Sequence, residues 1–311
     1  MPGCALHLEL ARRVLSAWAE RPEGRPFPPD DPSCRRAFLF GGLAPDLGYF
    51  PGGDSLLADL AHCVHPAHLA RVLLRSAEPG PERALAWGWA THVLGDVWIH
   101  PLINEAVAER LHGHRVPSVN YAADPLTHVR VELGLDAFLP ARAGWPDCPA
   151  EAGLHPGPAA VTLLARAYRQ TYGLTLSRRR LRFANRVATA LVPILLSAGR
   201  VESGRLVCPI VRLAYRRAAG SARTILPGGR LEAFTNPFPP PDWLLGEAGD
   251  VVERFVERFC PYYESNLADL PDTNLDTGEV EGDPPDYPLT VAALAELERR
   301  TAKSGSSRDP G

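Results

Sequence analysis

Three residues able to bind metal stand at even four-residue intervals in ATHVLGDVWIHPL: His92, Asp96 and His100. A second pair, His128 and Glu132, repeats that spacing. An α-helix turns about 100° per residue, so positions i, i+4 and i+8 share a stripe about 80° wide. At ~1.5 Å rise per residue, His92 and His100 lie about 12 Å apart along the axis. Zn–N bonds are only about 2 Å long, so the two imidazoles cannot meet on one ion. The spacing predicts at least two ions, with Asp96 between the histidines to bridge or orient. His128 and Glu132, one turn apart, can chelate a single ion. Imidazole with carboxylate is the ligand set of Zn²⁺ in an open, water-bearing site.

Three further pieces could complete such a site. His7 lies in the first helical pattern, and Asp46 follows Pro45 in FGGLAPDLGY, a Gly-rich turn from which a short carboxylate can point inward. In AHCVHPAH, His62, His65 and His68 crowd one helix start, and one of them is expected to be a ligand. Cys63 beside them reads as a small buried cysteine rather than a thiolate ligand. His112, His114 and His155 fall in loop-like sequence and stand outside the expected site.

The elements that must position these residues are helical. Apolar positions recur with a period near 3.6 over 5–20, 67–77 and 82–99, and Pro101 is expected to close the last of these. Further helices are expected at 122–138, 158–172, 180–198, 203–219, 243–260 and 289–302. Alternating strand patterns bounded by hairpin dipeptides are missing, so the fold class is all-α. Connectors rich in proline and glycine fall at 21–34, 46–54, 139–157 and 224–242. The chain divides into a helical domain over 1–220, an extension with helices and an acidic linker over 221–302, and a frayed tail over 303–311. Asp272, Asn274, Asp276 and Asp283 faintly suggest a calcium loop, but Gly278 comes one place late and no glutamate closes it, so an acidic linker is the better account.

The order His7, G-G-L-A-P-Asp46, His62, His92-x-x-x-Asp96-x-x-x-His100, His128-x-x-x-Glu132 resembles the zinc-dependent phospholipase C family. Wider relatives of that group include phospholipases D specific for glycosylphosphatidylinositol and single-strand nucleases. The likeness covers roughly 1–140, and it favours His62 over His65 as the ligand. It implies a helical domain with three zinc ions in a cleft. Asp46, His62, His92 and Asp96 would hold one ion, and Asp96 would bridge to a second at His7. His100, His128 and Glu132 would hold the third. Two departures stand out. Secreted phospholipases of this type use the amino terminus of the mature chain as a ligand, whereas six residues precede His7 here, so two to three Zn²⁺ are expected. The four-residue step from Asp96 to His100 matches the phospholipase D branch rather than the longer gap of secreted phospholipases C.

The chemistry expected of such a site is hydrolysis of a phosphodiester. Paired ions stabilise the attacking and leaving oxygens and make water a nucleophile near neutral pH, and Asp46 could take its proton as general base. The substrate is expected to be a phospholipid or another phosphodiester. A nuclease or nucleotidase of the same fold, and a non-catalytic metal-stabilised scaffold, are the alternatives. Trp87, Trp89 and Trp98 lie on the ligand helix, but a core role suits them better than base stacking.

Composition sets the remaining bounds. The six cysteines are scattered without a C-x-x-C pair, and the chain opens without a basic leader and apolar run. The most apolar stretch, 187–198, is 12 residues long and too short to span a bilayer. These features predict a reduced, cytoplasmic protein, peripheral to a membrane at most. The net charge of −3 conceals an asymmetry: residues 161–230 carry +13 and residues 231–311 carry −11. SRRRLRF at 177–183 and RLAYRR at 212–217 could contact phosphate groups of an anionic membrane or of nucleic acid. The preferred expectation is that the arginines pair with the acidic C-terminal third.

Overall fold

The computed structural model describes residues 3–20, 24–50, 53–115, 119–144, 157–198, 237–278 and 287–306. It is all-α, with no strand among the described residues. In chain order the helices are α1 (Cys4–Glu20), α2 (Pro32–Gly41), α3 (Ser55–Cys63), α4 (Pro66–Ser76), α5 (Pro81–His112), α6 (Pro125–Arg142), α7 (Gly157–Tyr172) and α8 (Arg178–Ala198). After residue 236 follow α9 (Asp242–Glu253), α10 (Phe255–Glu264) and α11 (Pro288–Ser306). A 3-10 helix, Ala44–Tyr49, sits between α2 and α3. The helix expected over 203–219, with its arginines at 212–217, lies outside the described residues.

Helix α5 is the axis of the molecule. It runs for 32 residues, and from Ala84 to Asp96 every side chain is buried, so it has no solvent face there. Pro101 does not close it. The helix continues to Gly113, whose φ of +79° ends it in the left-handed conformation. Proline removes one amide donor in mid-helix, and neighbours packed along both halves of α5 hold the segments in line. Helix α2 crosses α5 at unusually short range, backbone against backbone. A Cβ on Gly88 would stand 2.0 Å from the Phe38 carbonyl, and one on Gly41 would stand 2.3 Å from the Leu85 carbonyl. Aromatic residues fill the space beside this crossing: Trp18 packs edge-on against Phe38 and Trp87, and Trp87 against Phe259. Trp87 and Trp89 are buried core residues.

Helices α2 and α3 and the 3-10 helix were not expected. Their start signals are nonetheless local: the Asp31 carboxylate accepts from the Ser33 and Cys34 amides, and Pro32 occupies the first turn of α2. The stretch read as an acidic linker differs most from expectation. Leu267, Leu270, Leu275, Asn274 and Asp276 are all buried, and Leu275 hydrogen-bonds through its amide to the His62 carbonyl at 2.8 Å. Its leucines sit in the main core, and its polar groups find partners on α5 and α4.

Much of the Arg-rich stretch, including 212–217, lies outside the described residues. The C-terminal acids Asp242, Glu247 and Glu253 pair with Arg142, Arg115 and Arg13, none of which lies in the Arg-rich region. Arg178, Arg179 and Arg180 are exposed, and Arg180 approaches Asp54 at 3.7 Å. Among the described residues, no helix is long and apolar enough to cross a membrane.

Candidate metal centre

Five elements converge on one buried point. Helix α1 brings His7, the 3-10 helix Asp46, the last turn of α3 His62, α5 the stripe His92/Asp96/His100, and α6 His128 and Glu132. All eight residues are buried, none more than 6% exposed. The structure thus brings together every residue of the expected site. His65 stands apart: it is exposed, at φ +52°, with Nδ1 3.0 Å from Asp272. The Cys63 thiol is buried and pushed well above its usual range by desolvation.

Local devices set each approach. Gly95 lets α1 lie against α5, since a Cβ there would meet Leu10 at 2.8 Å and the His7 ring at 3.3 Å. The Asp136 carboxylate on α6 accepts the Ala5 and Leu6 amides, both at 3.0 Å, and so fixes the turn that carries His7. Burial pushes Asp136 up to about 7 despite those two amides. At the start of α6, Asp124 caps Thr127 and sets the helix that presents His128 and Glu132.

Asp96 is the hub. Its Oδ1 lies 3.1 Å from His7 Nε2 and 3.6 Å from His100 Nε2. Its Oδ2 lies 3.1 Å from His92 Nε2 and 3.5 Å from His62 Nε2. Asp46 Oδ1 approaches His62 Nε2 at 3.3 Å. Glu132 Oε1 lies 3.0 Å from His128 Nε2 and 3.4 Å from His100 Nε2. Three groups emerge whose ligand atoms lie within 4.8 Å of one another: His7/His92/Asp96, Asp46/His62/His92 and His100/His128/Glu132.

In three of the five imidazoles the Nδ1 atom meets a backbone carbonyl. His62 Nδ1 lies 2.7 Å from Ala58 O, His92 Nδ1 2.9 Å from Gly42 O, and His100 Nδ1 2.7 Å from Leu275 O. A carbonyl only accepts, so each Nδ1 carries the proton and, in the neutral ring, Nε2 offers a lone pair to the centre. His62 Nε2 and His92 Nε2 face one another at 3.1 Å, an approach that needs a proton or a metal ion between them. Both oxygens of Asp46, His7 Nδ1 and His128 Nδ1 have no hydrogen-bond partner although buried. Three carboxylates share this enclosure with five imidazoles, and uncompensated buried charge is costly. The residues fit bound cations on each of these counts.

The electrostatics agree. Burial alone would raise Asp96, but His92, His100 and His7 around it hold it well below the usual carboxylate range. Burial would lower His100, yet Asp96 and Glu132 push it up to about 10. Glu132 is pulled down by His128 and His100 against its desolvation. The cluster seeks positive charge, in the form of protons or of metal ions.

Some participants were not foreseen. Asn104 extends the stripe by another four residues from His100, a signal present in the sequence, and its amide donates to Asp276 O at 2.7 Å. Asp276 and the Leu275 carbonyl come from far along the chain and carry no periodic signal. Burial raises the Asp276 carboxyl while His128 and His100 draw it down. Tyr49 packs 5.8 Å from the His62 ring and donates its hydroxyl to Asp59, which burial pushes up to about 6.

Residues 6–182 match the family model described as zinc dependent phospholipase C. No curated protein and no solved structure matches this chain. The matched span is more than half of the 311 residues and contains all eight converging side chains. The chain belongs to the zinc dependent phospholipase C family.

Proposed function

We propose that this protein is a zinc-dependent phosphodiester hydrolase acting on phospholipids or related lipids, with two to three ions in the centre on α5. The observation that carries the reading is the approach of the His62 and His92 imidazoles, Nε2 to Nε2 at 3.1 Å, among buried carboxylates. Asp46, His62, His92 and Asp96 would hold one ion, Asp96 with His7 a second, and His100, His128 and Glu132 a third. Zinc, when held there, neutralises the charge of a phosphodiester and makes water acidic enough to attack near neutral pH.

The chain's own groups do the rest. Asp46 has two carboxylate oxygens without hydrogen-bond partners, so one can serve the ion while the other takes a proton from the attacking water. The carbonyls of Ala58, Gly42 and Leu275 hold the imidazoles in one tautomer and orientation, which keeps the lone pairs aimed inward. Asp96, flanked by imidazoles, stays ionised and unavailable for proton transfer.

The test combines elemental mass spectrometry on gently purified protein with turnover of a chromogenic phosphodiester, a phosphatidyl lipid and an oligonucleotide. The expected result is at least two zinc ions per chain and turnover of lipid above oligonucleotide. Less than about one transition metal per chain overturns the reading. Oligonucleotide turnover above lipid turnover replaces it with a nuclease.

A further inference from the structure

We propose that the strap Asp272–Asp276, which lies beyond the family match over 6–182, forms the missing wall of the site at His100, His128 and Glu132, with Asp276 as the positioning carboxylate that secures its occupancy. The proposal rests on the reading that this trio holds an ion.

Four contacts bind the strap to the centre. The Leu275 carbonyl accepts His100 Nδ1–H at 2.7 Å, which sets the tautomer of a ligand 175 residues earlier. The Leu275 amide donates to the His62 carbonyl at 2.8 Å. Asn104 on α5 donates to the Asp276 carbonyl at 2.7 Å. The Tyr121 amide donates to Asp276 Oδ1 at 3.1 Å, and the Tyr121 ring stands 5.4 Å from the His128 ring. Asp276 therefore sits between the α5 ligands on one side and the approach to α6 on the other. Its second oxygen, Oδ2, has no hydrogen-bond partner although the residue is only 5% exposed.

A buried carboxylate with an idle oxygen beside two metal-type imidazoles has a physical role when a cation is near. It adds negative charge close to the ion, and through the adjacent Leu275 carbonyl it keeps His100 turned toward it. The other end of the strap is an anchor of a different kind. Asp272 Oδ1 caps α4 by accepting the Ala67 amide at 2.8 Å and the His68 amide at 3.1 Å, away from the ion cluster. The two ends predict separable effects.

The experiment compares Asp276→Asn, Asn104→Leu, Asp272→Asn and Glu132→Gln in the full chain. Three quantities are read: zinc per chain, the rate of zinc transfer to a colorimetric chelator, and the melting temperature after metal removal. Asp276→Asn is expected to release one ion roughly tenfold faster or more, with the rest retained and the metal-free melting temperature close to wild type. Asn104→Leu, which loosens the strap from α5 without touching a carboxylate, is expected to accelerate release of that same ion and decides the matter if Asp276→Asn does not fold. Asp272→Asn is expected to lower the melting temperature and leave zinc release unchanged. If Glu132→Gln loses an ion while Asp276→Asn and Asn104→Leu keep wild-type release, the strap has no part in the site and the proposal is overturned alone. If Glu132→Gln also keeps every ion, the assignment of the trio fails and takes the strap with it.

Discussion

Asp96 meets four imidazoles within 3.6 Å, whereas His7 approaches only Asp96 in that shell and stacks on His92 at 4.0 Å. Replacing Asp96 by Asn removes the shared negative charge and turns an amide toward lone pairs. Asp96→Asn should therefore lower zinc content by more than one ion per chain, and His7→Ala by no more than one, as read by elemental mass spectrometry. Equal zinc in Asp96→Asn and wild type would rule out the bridge. Asp46→Asn separates ligation from proton transfer. It should reduce turnover by about 10²–10⁴-fold, the usual weight of a general base, while zinc content falls less than in Asp96→Asn. At this scale much could be read beforehand. The i, i+4 steps on α5 and α6 reveal which side chains share a face, because helix geometry alone decides it. What escaped was anything arriving from outside that geometry. Asp276 looks like any other acid in a polar, Pro- and Gly-rich stretch until the fold buries it.

The elements are legible in proportion to their length. Helices α1, α4, α7 and α11 fall within a few residues of the periodic patterns, since an amphipathic stripe over three or more turns is a strong signal. Helices α2 and α3, of 10 and 9 residues, are too short and too interrupted by small residues to stand out beside Gly-rich connectors. Glycines within the helices are the packing device. Gly88→Ala would put a methyl group against the Phe38 carbonyl, where backbone must move, so a loss of about 3 kcal/mol or more is expected in chemical denaturation. Gly95→Ala should be milder in stability, because the Leu10 side chain can yield, but should cost zinc by pressing on His7. The junction of α1 with α6 has its own pH signature. Asp136 is raised from 3.8 to about 7 in the folded protein, so the folded state holds that proton more tightly than the unfolded chain. Its contribution is complete below about pH 4 and is lost as pH rises toward 7, by at most about 1.4 kcal/mol per unit. Between pH 5 and 7.5 the melting temperature of the wild type should fall relative to that of Asp136→Asn, which has no proton to lose. The comparison of the two cancels the metal's own pH dependence. Parallel curves would show that Asp136 does not titrate there.

Among the described residues, three acids of the C-terminal helices pair outside the Arg-rich stretch. Asp242, Glu247 and Glu253 take their arginines from α6, the segment before it and α1, and Arg178, Arg179 and Arg180 stand on an exposed face. Replacing all three by serine should change stability little, within the ~1 kcal/mol range of exposed ion pairs, since among the described residues Arg180 alone of the three approaches a carboxylate. The same variant should sediment less with anionic vesicles at low salt, each arginine contributing on the order of 1 kcal/mol near such a surface. A melting temperature several degrees lower with unchanged sedimentation would show instead that the arginines serve the fold.

The bond between His100 and Leu275 also bears on the order in which the protein is made. Synthesis at about 5–20 residues per second puts roughly 9–35 s between the appearance of those two residues. For most of that interval every proposed ligand, the last of which is Glu132, has been synthesised, while the carbonyl that orients His100 does not yet exist. Zinc met during this time would find imidazoles free to rotate and open to competing thiols and chelators. On the proposed reading, the site at His100, His128 and Glu132 takes its folded form only once Leu275 has folded back upon it, and its ion would be captured late in the making of the molecule.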